Sequence, residues 1–151
     1  MNSSKTLKNR IDNFAETCRR HGIKATHQRM EIFRELAGTG EHPDADTIYR
    51  RVKKRIPAIS LDTVYRTLRL LEEIGIISRV GFVEERTRFD ANTDHHYHFV
   101  CTECGLVRDF YSTALDEFRP PAEASELGEV DEMYLEVRGI CRKCTEKIKK
   151  N

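Results

Sequence analysis

Residues 60–75 read SLDTVYRTLRLLEEIG, and this stretch decides the fold. Leu61, Val64, Leu68, Leu71 and Ile74 recur at the three- and four-residue spacing that lines one face of an α-helix. Ser60 is placed to cap that helix, because its hydroxyl can accept a first-turn backbone N–H that has no partner within the helix. Gly75 supplies the stop. The opposite face shows Thr63, Arg66, Thr67 and Arg69, so it is polar and carries two guanidinium groups.

Working towards the N-terminus, three further helices are predicted. Residues 4–21 put Leu7, Ile11, Phe14, Ala15 and Cys18 on one stripe, closed by Gly22. Thr26 caps a second helix with Met30, Ile32, Phe33 and Leu36 inward, ended by Gly38 and Gly40. Asp44 caps a third, with Ala45, Ile48, Tyr49 and Val52 inward and Pro57 closing it. In the other direction, residues 76–82 and 87–90 read as short strands around the charged turn 83–86. Short helices followed by a β-hairpin is the order of a winged helix-turn-helix.

The second half changes character. Residues 97–100 and 106–111 read as strands flanking Cys101-Thr-Glu-Cys104-Gly105, residues 112–118 as a short helix, 133–138 as a strand and 146–150 as a basic helix. The expected fold class is therefore α+β: an N-terminal winged helix-turn-helix over 1–84, a connector over 85–94, and a C-terminal α/β domain over 95–151.

The cysteines carry the strongest chemical signal. Cys101 and Cys104 form one Cys-x-x-Cys and Cys141 and Cys144 a second. Two residues between thiolates let one tight turn present both sulfurs to one ion. Two such turns supply the four tetrahedral ligands that structural Zn²⁺ prefers, with no position left for a substrate. The alternatives are buried free thiols or two local disulfides. A half-chain this short would draw much of its folding free energy from the metal. Cys18, alone on an apolar stripe, reads as a small buried hydrophobe.

Just before Cys101 lies Asp94-His95-His96-Tyr97-His98. On a strand, His96 and His98 point to one face and can share an ion, whereas His95 points away. Asp90 and Asp109 are near in sequence, and Asp109 falls where it can stand beside His98. Imidazole and carboxylate without sulfur suit Fe²⁺, Mn²⁺, Zn²⁺ or Ni²⁺, so this site differs chemically from the thiolate one. One site is expected to be permanent and the other exchangeable. His42 is distant in sequence and by itself reads as a loop histidine.

The 151 residues are 38% hydrophobic and 34% charged with a net charge of +1, and the charge is unevenly spread. Residues 1–90 carry +5 and residues 91–151 carry −4. A basic half before an acidic half points to a polyanion facing the first. No apolar run approaches a membrane span, and the N-terminus lacks the apolar core of a signal peptide, so no membrane association and a cytoplasmic location are expected.

The segments GIKATHQRMEIF, EHPDADTIY, ISLDTVYRTLRLLEEIGII, RFD, DHHYHFVCTECG and GICRKC together resemble the ferric-uptake regulator superfamily over nearly the whole chain. The resemblance implies a metal-dependent DNA-binding repressor. Its second half would form the homodimer, and its first would bind double-stranded DNA at an AT-rich inverted repeat. It implies His42, Asp90, His96, His98 and Asp109 as regulatory ligands for Fe²⁺ or Mn²⁺, beside structural Zn²⁺ on the cysteines. The two aspartates and Tyr97 match the peroxide-sensing branch. In that branch Fe²⁺-dependent oxidation of His42 or His96 would release DNA, and Mn²⁺ would give a repressor insensitive to peroxide. Met133 stands where many members carry a further metal-binding histidine.

For DNA recognition the resemblance places Arg20, Tyr65 and Arg66 at contacting positions. The residues themselves add Arg69 on the same helix face, with Ser60 and Thr63 placed for phosphates; a helix of this kind fits the major groove, where arginine reads guanine edges. Rival expectations are an iron- or zinc-responsive uptake repressor, a metallo-hydrolase using the histidine-carboxylate cluster, and a zinc-stabilised scaffold that binds only protein.

Overall fold

The computed structural model of the protein describes residues 3–80 and 87–150. The chain divides into two compact units, Met1–Asp94 and His95–Asn151. No helix among the described residues is long and apolar enough to cross a membrane.

The first unit contains α1 (Ser3–Arg20), α2 (His27–Ala37), α3 (Ala45–Lys53), α4 (Leu61–Glu73), β1 (Ser78–Val80) and β2 (Arg88–Asp90). Three helix starts are fixed by side-chain caps: Arg29 N–H donates to Thr26 Oγ1 at 3.4 Å, Thr47 N–H to Asp44 Oδ1 at 2.8 Å, and Thr63 N–H to Ser60 Oγ at 3.1 Å. Such caps are each worth about 1 kcal/mol. The helices close on one core of Phe14, Cys18, Ile32, Leu36, Ile48, Val52, Val64, Leu68 and Leu71. Within it Phe14 stacks on Phe33 with ring centroids 4.6 Å apart. Gly75 takes φ +72°, and Ile76 N–H reaches back to Leu71 O at 3.0 Å. That left-handed turn ends α4 and sends Ile76 and Ile77 into the core.

Three expectations need correction here. Thr67, expected on the polar face of α4, is 4% exposed. It stands three residues after Val64 and four before Leu71, so it completes the buried stripe rather than facing it. α3 ends at Lys53, ahead of Pro57, with Lys54 as its last capping residue. Among the described residues the first strand begins at Ser78 rather than 76 and pairs over Ser78↔Asp90, Arg79↔Phe89 and Val80↔Arg88. The end of that strand and the turn at 83–86 fall outside the described residues.

The second unit is a three-stranded sheet of order β4-β3-β5, made of β3 (Tyr97–Cys101), β4 (Val107–Phe110) and β5 (Glu136–Gly139). β4 runs antiparallel to β3 and β5 parallel to it. Helices α5 (Thr113–Asp116), α6 (Ala122–Leu127) and α7 (Arg142–Lys149) complete it. α7 begins at Arg142 rather than 146, because Cys141 occupies its N-cap position. The strand expected at 133–138 is β5, which begins three residues later and ends one residue further on, and α6 answers to no expected element. Apolar burial is thin: Val100, Cys101 and Val107 are each about fully enclosed, while Leu127, Tyr134, Val137, Ile140 and Ile148 remain exposed. A unit with so little core needs another source of stability.

Candidate metal centres

The thiolate centre follows from the strand order. β5 lies parallel to β3 with Gly139 opposite Cys101, and Thr102 N–H donates to Gly139 O at 2.8 Å. Each strand runs straight into one Cys-x-x-Cys, so the pairing brings the two turns together. Gly139 lies close under Phe99: a Cβ there would sit 3.2 Å from the ring, which would have to give by a few tenths of an ångström. Gly105 closes the first turn at φ +70°.

The Sγ atoms of Cys101, Cys104, Cys141 and Cys144 all lie within 4.8 Å of one another. Cys104 and Cys141 are 3.8 Å apart, sulfur to sulfur. Zn–S bonds of about 2.3 Å make the edge of a tetrahedron about 3.8 Å, so the four donors fit zinc in kind, number and spacing. All five cysteines of the chain are free thiols. Cys141 N–H donates to Cys101 Sγ at 3.2 Å, and this donor is the chief reason the Cys101 thiol is lowered to about 6. Cys144 is pushed up to about 12, first through its hydrogen bond with Cys141, because neighbouring sulfurs favour keeping its proton. Cys18 is fully buried and its thiol is raised by that burial, as a packing residue should be.

The histidines and aspartates form two sets, one in each unit. In the first, Pro43 O accepts from Phe89 N–H at 3.2 Å and Asp44 bridges Arg88, which lays the segment before α3 along β2. His42, in the left-handed region at φ +52°, is thereby carried to the end of β2. Its Nε2 lies 3.4 Å from Asp90 Oδ2, and both residues are buried.

In the second set, His98 is opposite Asp109 in the β3–β4 ladder. His96 Nε2 and His98 Nε2 are 3.0 Å apart, and Asp109 Oδ1 is 3.5 and 3.4 Å from them. Metal–nitrogen bonds of about 2.1 Å at right angles set two nitrogens about 3.0 Å apart, so the pair matches adjacent corners of a coordination polyhedron. His95 points elsewhere, with its Nε2 3.3 Å from Asp116 Oδ1 and 3.1 Å from the Tyr97 hydroxyl.

On the first unit, α4 presents Tyr65, half exposed, together with exposed Arg66 and Arg69. Tyr65 therefore does not pack inward. Ser60 Oγ is engaged with both Thr63 N–H and Thr63 Oγ1, so its hydroxyl holds the helix start. Arg20, at the end of α1, is exposed and donates to Thr17 Oγ1 at 3.2 Å. A cleft of about 520 Å³ between α2 and α4 is lined by Thr26, Gln28, Arg29, Thr63, Arg66 and Arg69, among others. Gln28 and Arg29 join this lining although nothing local in the sequence shows that the start of α2 meets the polar face of α4.

A winged helix-turn-helix unit joined to a unit with a four-cysteine cluster and an imidazole–carboxylate set defines a metal-responsive regulator. The chain belongs to the ferric uptake regulator family, whose family model matches residues 20–138. It is 33% identical to the peroxide-responsive repressor PerR of Staphylococcus epidermidis over 93% of this chain and 94% of that one. It also resembles the peroxide stress regulator of Campylobacter jejuni, with TM-score 0.68 and 32% identity over 85% of this chain and 97% of that structure. The Helicobacter pylori ferric uptake regulator Fur superposes with TM-score 0.74 over 96% of this chain and 97% of its own, at 22% identity, a likeness of fold. Membership of this family makes the chain a regulator and not a hydrolase.

Proposed function

We propose that the protein is a metal-dependent, DNA-binding transcriptional repressor of the cytoplasm that senses peroxide. The observation that carries this is the second ligand set, two imidazole nitrogens 3.0 Å apart with one carboxylate oxygen beside both. Its donors suit Fe²⁺ or Mn²⁺. The relative named a peroxide-responsive repressor, alike over almost the whole chain, supports the peroxide branch.

In this reading one exchangeable ion takes His42 and Asp90 from the first unit together with His96, His98 and Asp109 from the second, while zinc stays on the cysteines. Residues 1–84 bind DNA, 85–94 act as the hinge, and 95–151 dimerise. Exposed Tyr134, Val137, Ile140 and Ile148 give the second unit apolar surface for a second copy. Arg20, Tyr65, Arg66 and Arg69 meet an AT-rich inverted repeat, with Ser60 and Thr63 near the phosphates. Closing the hinge holds the two reading helices of a dimer at the spacing of successive major grooves, about 34–36 Å. The ion acts by binding one arrangement better than the other.

An iron ion held by these residues would supply the redox chemistry that cleaves the O–O bond of peroxide. Overall, one peroxide oxygen would enter a ring C–H bond of His42 or His96 to give C–OH and the other would leave as water, so the histidine is oxidised and the peroxide reduced. A ligand so altered binds less well, the hinge opens and DNA is released. The test is operator binding by zinc-loaded protein with and without Fe²⁺, Mn²⁺ and peroxide, with mass spectrometry of the product. The expected result is metal-dependent binding, lost after peroxide with Fe²⁺ only, and one added oxygen on His42 or His96. Metal-dependent binding with no added oxygen would leave a metal-level sensor instead.

A further inference from the structure

Asp90 does not stand alone at the end of β2. Its Oδ1 accepts Asn92 N–H at 2.7 Å, which leaves Oδ2 as the oxygen beside His42. Asn92 is a buried polar residue, and its own Oδ1 accepts twice: from Asp94 N–H at 3.2 Å and from Arg10 Nη2 at 3.0 Å. Arg10 belongs to α1, the helix that ends at Arg20. One side chain therefore locks the turn that follows Asp90 and straps it to a helix 82 residues earlier in the chain.

We propose that Asn92, held by Arg10, is the positioning residue for the Asp90 carboxylate. The physical argument is one of lost freedom. A carboxylate on a strand end can rotate and offer either oxygen or both to an ion. Here the Asn92 N–H fixes one oxygen and so aims the other, and the two bonds to Asn92 Oδ1 keep that N–H in place. Partners of this kind behind a ligand typically change metal affinity 10- to 100-fold when removed. Arg10 and Asn92 touch neither the proposed ion nor DNA in this account; they act through Asp90. The inference rests on the reading of Asp90 as a ligand.

The test is Mn²⁺ titration of the zinc-loaded full chain, read by the free-Mn²⁺ electron paramagnetic resonance signal. Asn92→Ala is expected to weaken Mn²⁺ binding about 10- to 100-fold. Zinc content should be unchanged. Asn92→Asp keeps both acceptor bonds and should restore binding. Arg10→Gln should weaken it less, and adding Arg10→Gln to Asn92→Ala should cost nothing more, since both act on one bond chain. Should Asn92→Ala lower the zinc content or the melting temperature, Arg10→Gln decides by the same titration. Parental affinity in Asn92→Ala, with weakened binding in an Asp90→Asn control, overturns the positioning role alone. Parental affinity in Asp90→Asn overturns the ligand reading and this inference with it.

Discussion

His98 faces Asp109 directly across the β3–β4 ladder, and its Nε2 lies 3.4 Å from the Asp109 carboxylate. Antiparallel register fixes this pair, because partners directly opposite hold their Cβ atoms about 5 Å apart on one face. His96 joins them two residues earlier, while His95 turns to Asp116. His98→Ala is accordingly expected to abolish Mn²⁺ binding at low micromolar concentrations, and His95→Ala to leave it intact. Calorimetric titration of both variants checks this. Equal losses in the two would show that the alternation of the strand does not select the ligands.

The thiolate centre makes a prediction about pH. Cys144, pushed up to about 12, holds its proton throughout the neutral range, so every zinc taken up there must displace it. Cys101, lowered to about 6, is already mostly ionised at neutral pH and gives up a proton on binding only below that value. Protons compete with the metal for the sulfurs, so affinity falls with pH. Chelator competition from pH 5 to 8 should show zinc affinity rising with pH throughout, with the slope steeper by about one proton below pH 6. A slope that stays constant across pH 6 would contradict the assignment of Cys101 as the pre-ionised ligand.

Because the second unit encloses so few apolar side chains, its stability should depend on that ion. Cys101→Ser or prolonged chelation is expected to unfold His95–Asn151 while the first unit keeps its helical signal. The core at Phe14, Ile32 and Leu68 belongs wholly to the first unit and does not need the cysteines. Hydrogen exchange resolved by peptide measures this. Retained protection in β3 and β5 after loss of zinc would refute it.

The two faces of α4 should separate stability from binding. Leu68 is 1% exposed, and Leu68→Ala should cost about 2–5 kcal/mol of stability. Arg66, whose side chain is 82% exposed and only loosely paired with Asp62 at 3.7 Å, should leave stability within about 0.5 kcal/mol when changed to Ala. Operator affinity should instead fall by about 1–3 kcal/mol if Arg66 reads a base edge. Thermal unfolding and fluorescence anisotropy on the same variants tell the two apart.

The parts legible in the sequence are those decided by neighbours a few residues apart. Thr26, Asp44 and Ser60 announce their helices because a cap acts within three residues. The Cys-x-x-Cys turns are legible for the same reason. Thr67 misled because a threonine can satisfy its hydroxyl while buried, so polarity alone did not place it. The parallel pairing of β5 with β3 joins residues about forty apart, with no local pattern to signal it. Likewise the placing of His42 beside Asp90 depends on Phe89 bonding to Pro43, a long-range contact that neither residue's surroundings reveal.

His42 provides the sharpest test of metal control. It sits in the first unit, in a left-handed backbone conformation, with its carbonyl accepting from Arg88 Nη1 at 3.3 Å and its ring against Asp90. The backbone bond keeps the loop in place whatever the side chain, so His42→Ala should fold normally. In the proposed hinge it is one of two donors offered by that unit, Asp90 being the other, and the remaining three, His96, His98 and Asp109, belong to the second. Removing it leaves His96, His98 and Asp109 able to hold an ion without drawing the DNA-binding unit in. Mn²⁺ should then still bind, more weakly, yet no longer raise operator affinity, while metal-free affinity stays at the parental value. Because coupling is reciprocal, operator DNA should also cease to tighten Mn²⁺ binding in this variant. Operator titrations with and without Mn²⁺, run on parent and His42→Ala, measure both directions. Undiminished enhancement by Mn²⁺ in the variant would mean that closure of the hinge is driven from elsewhere.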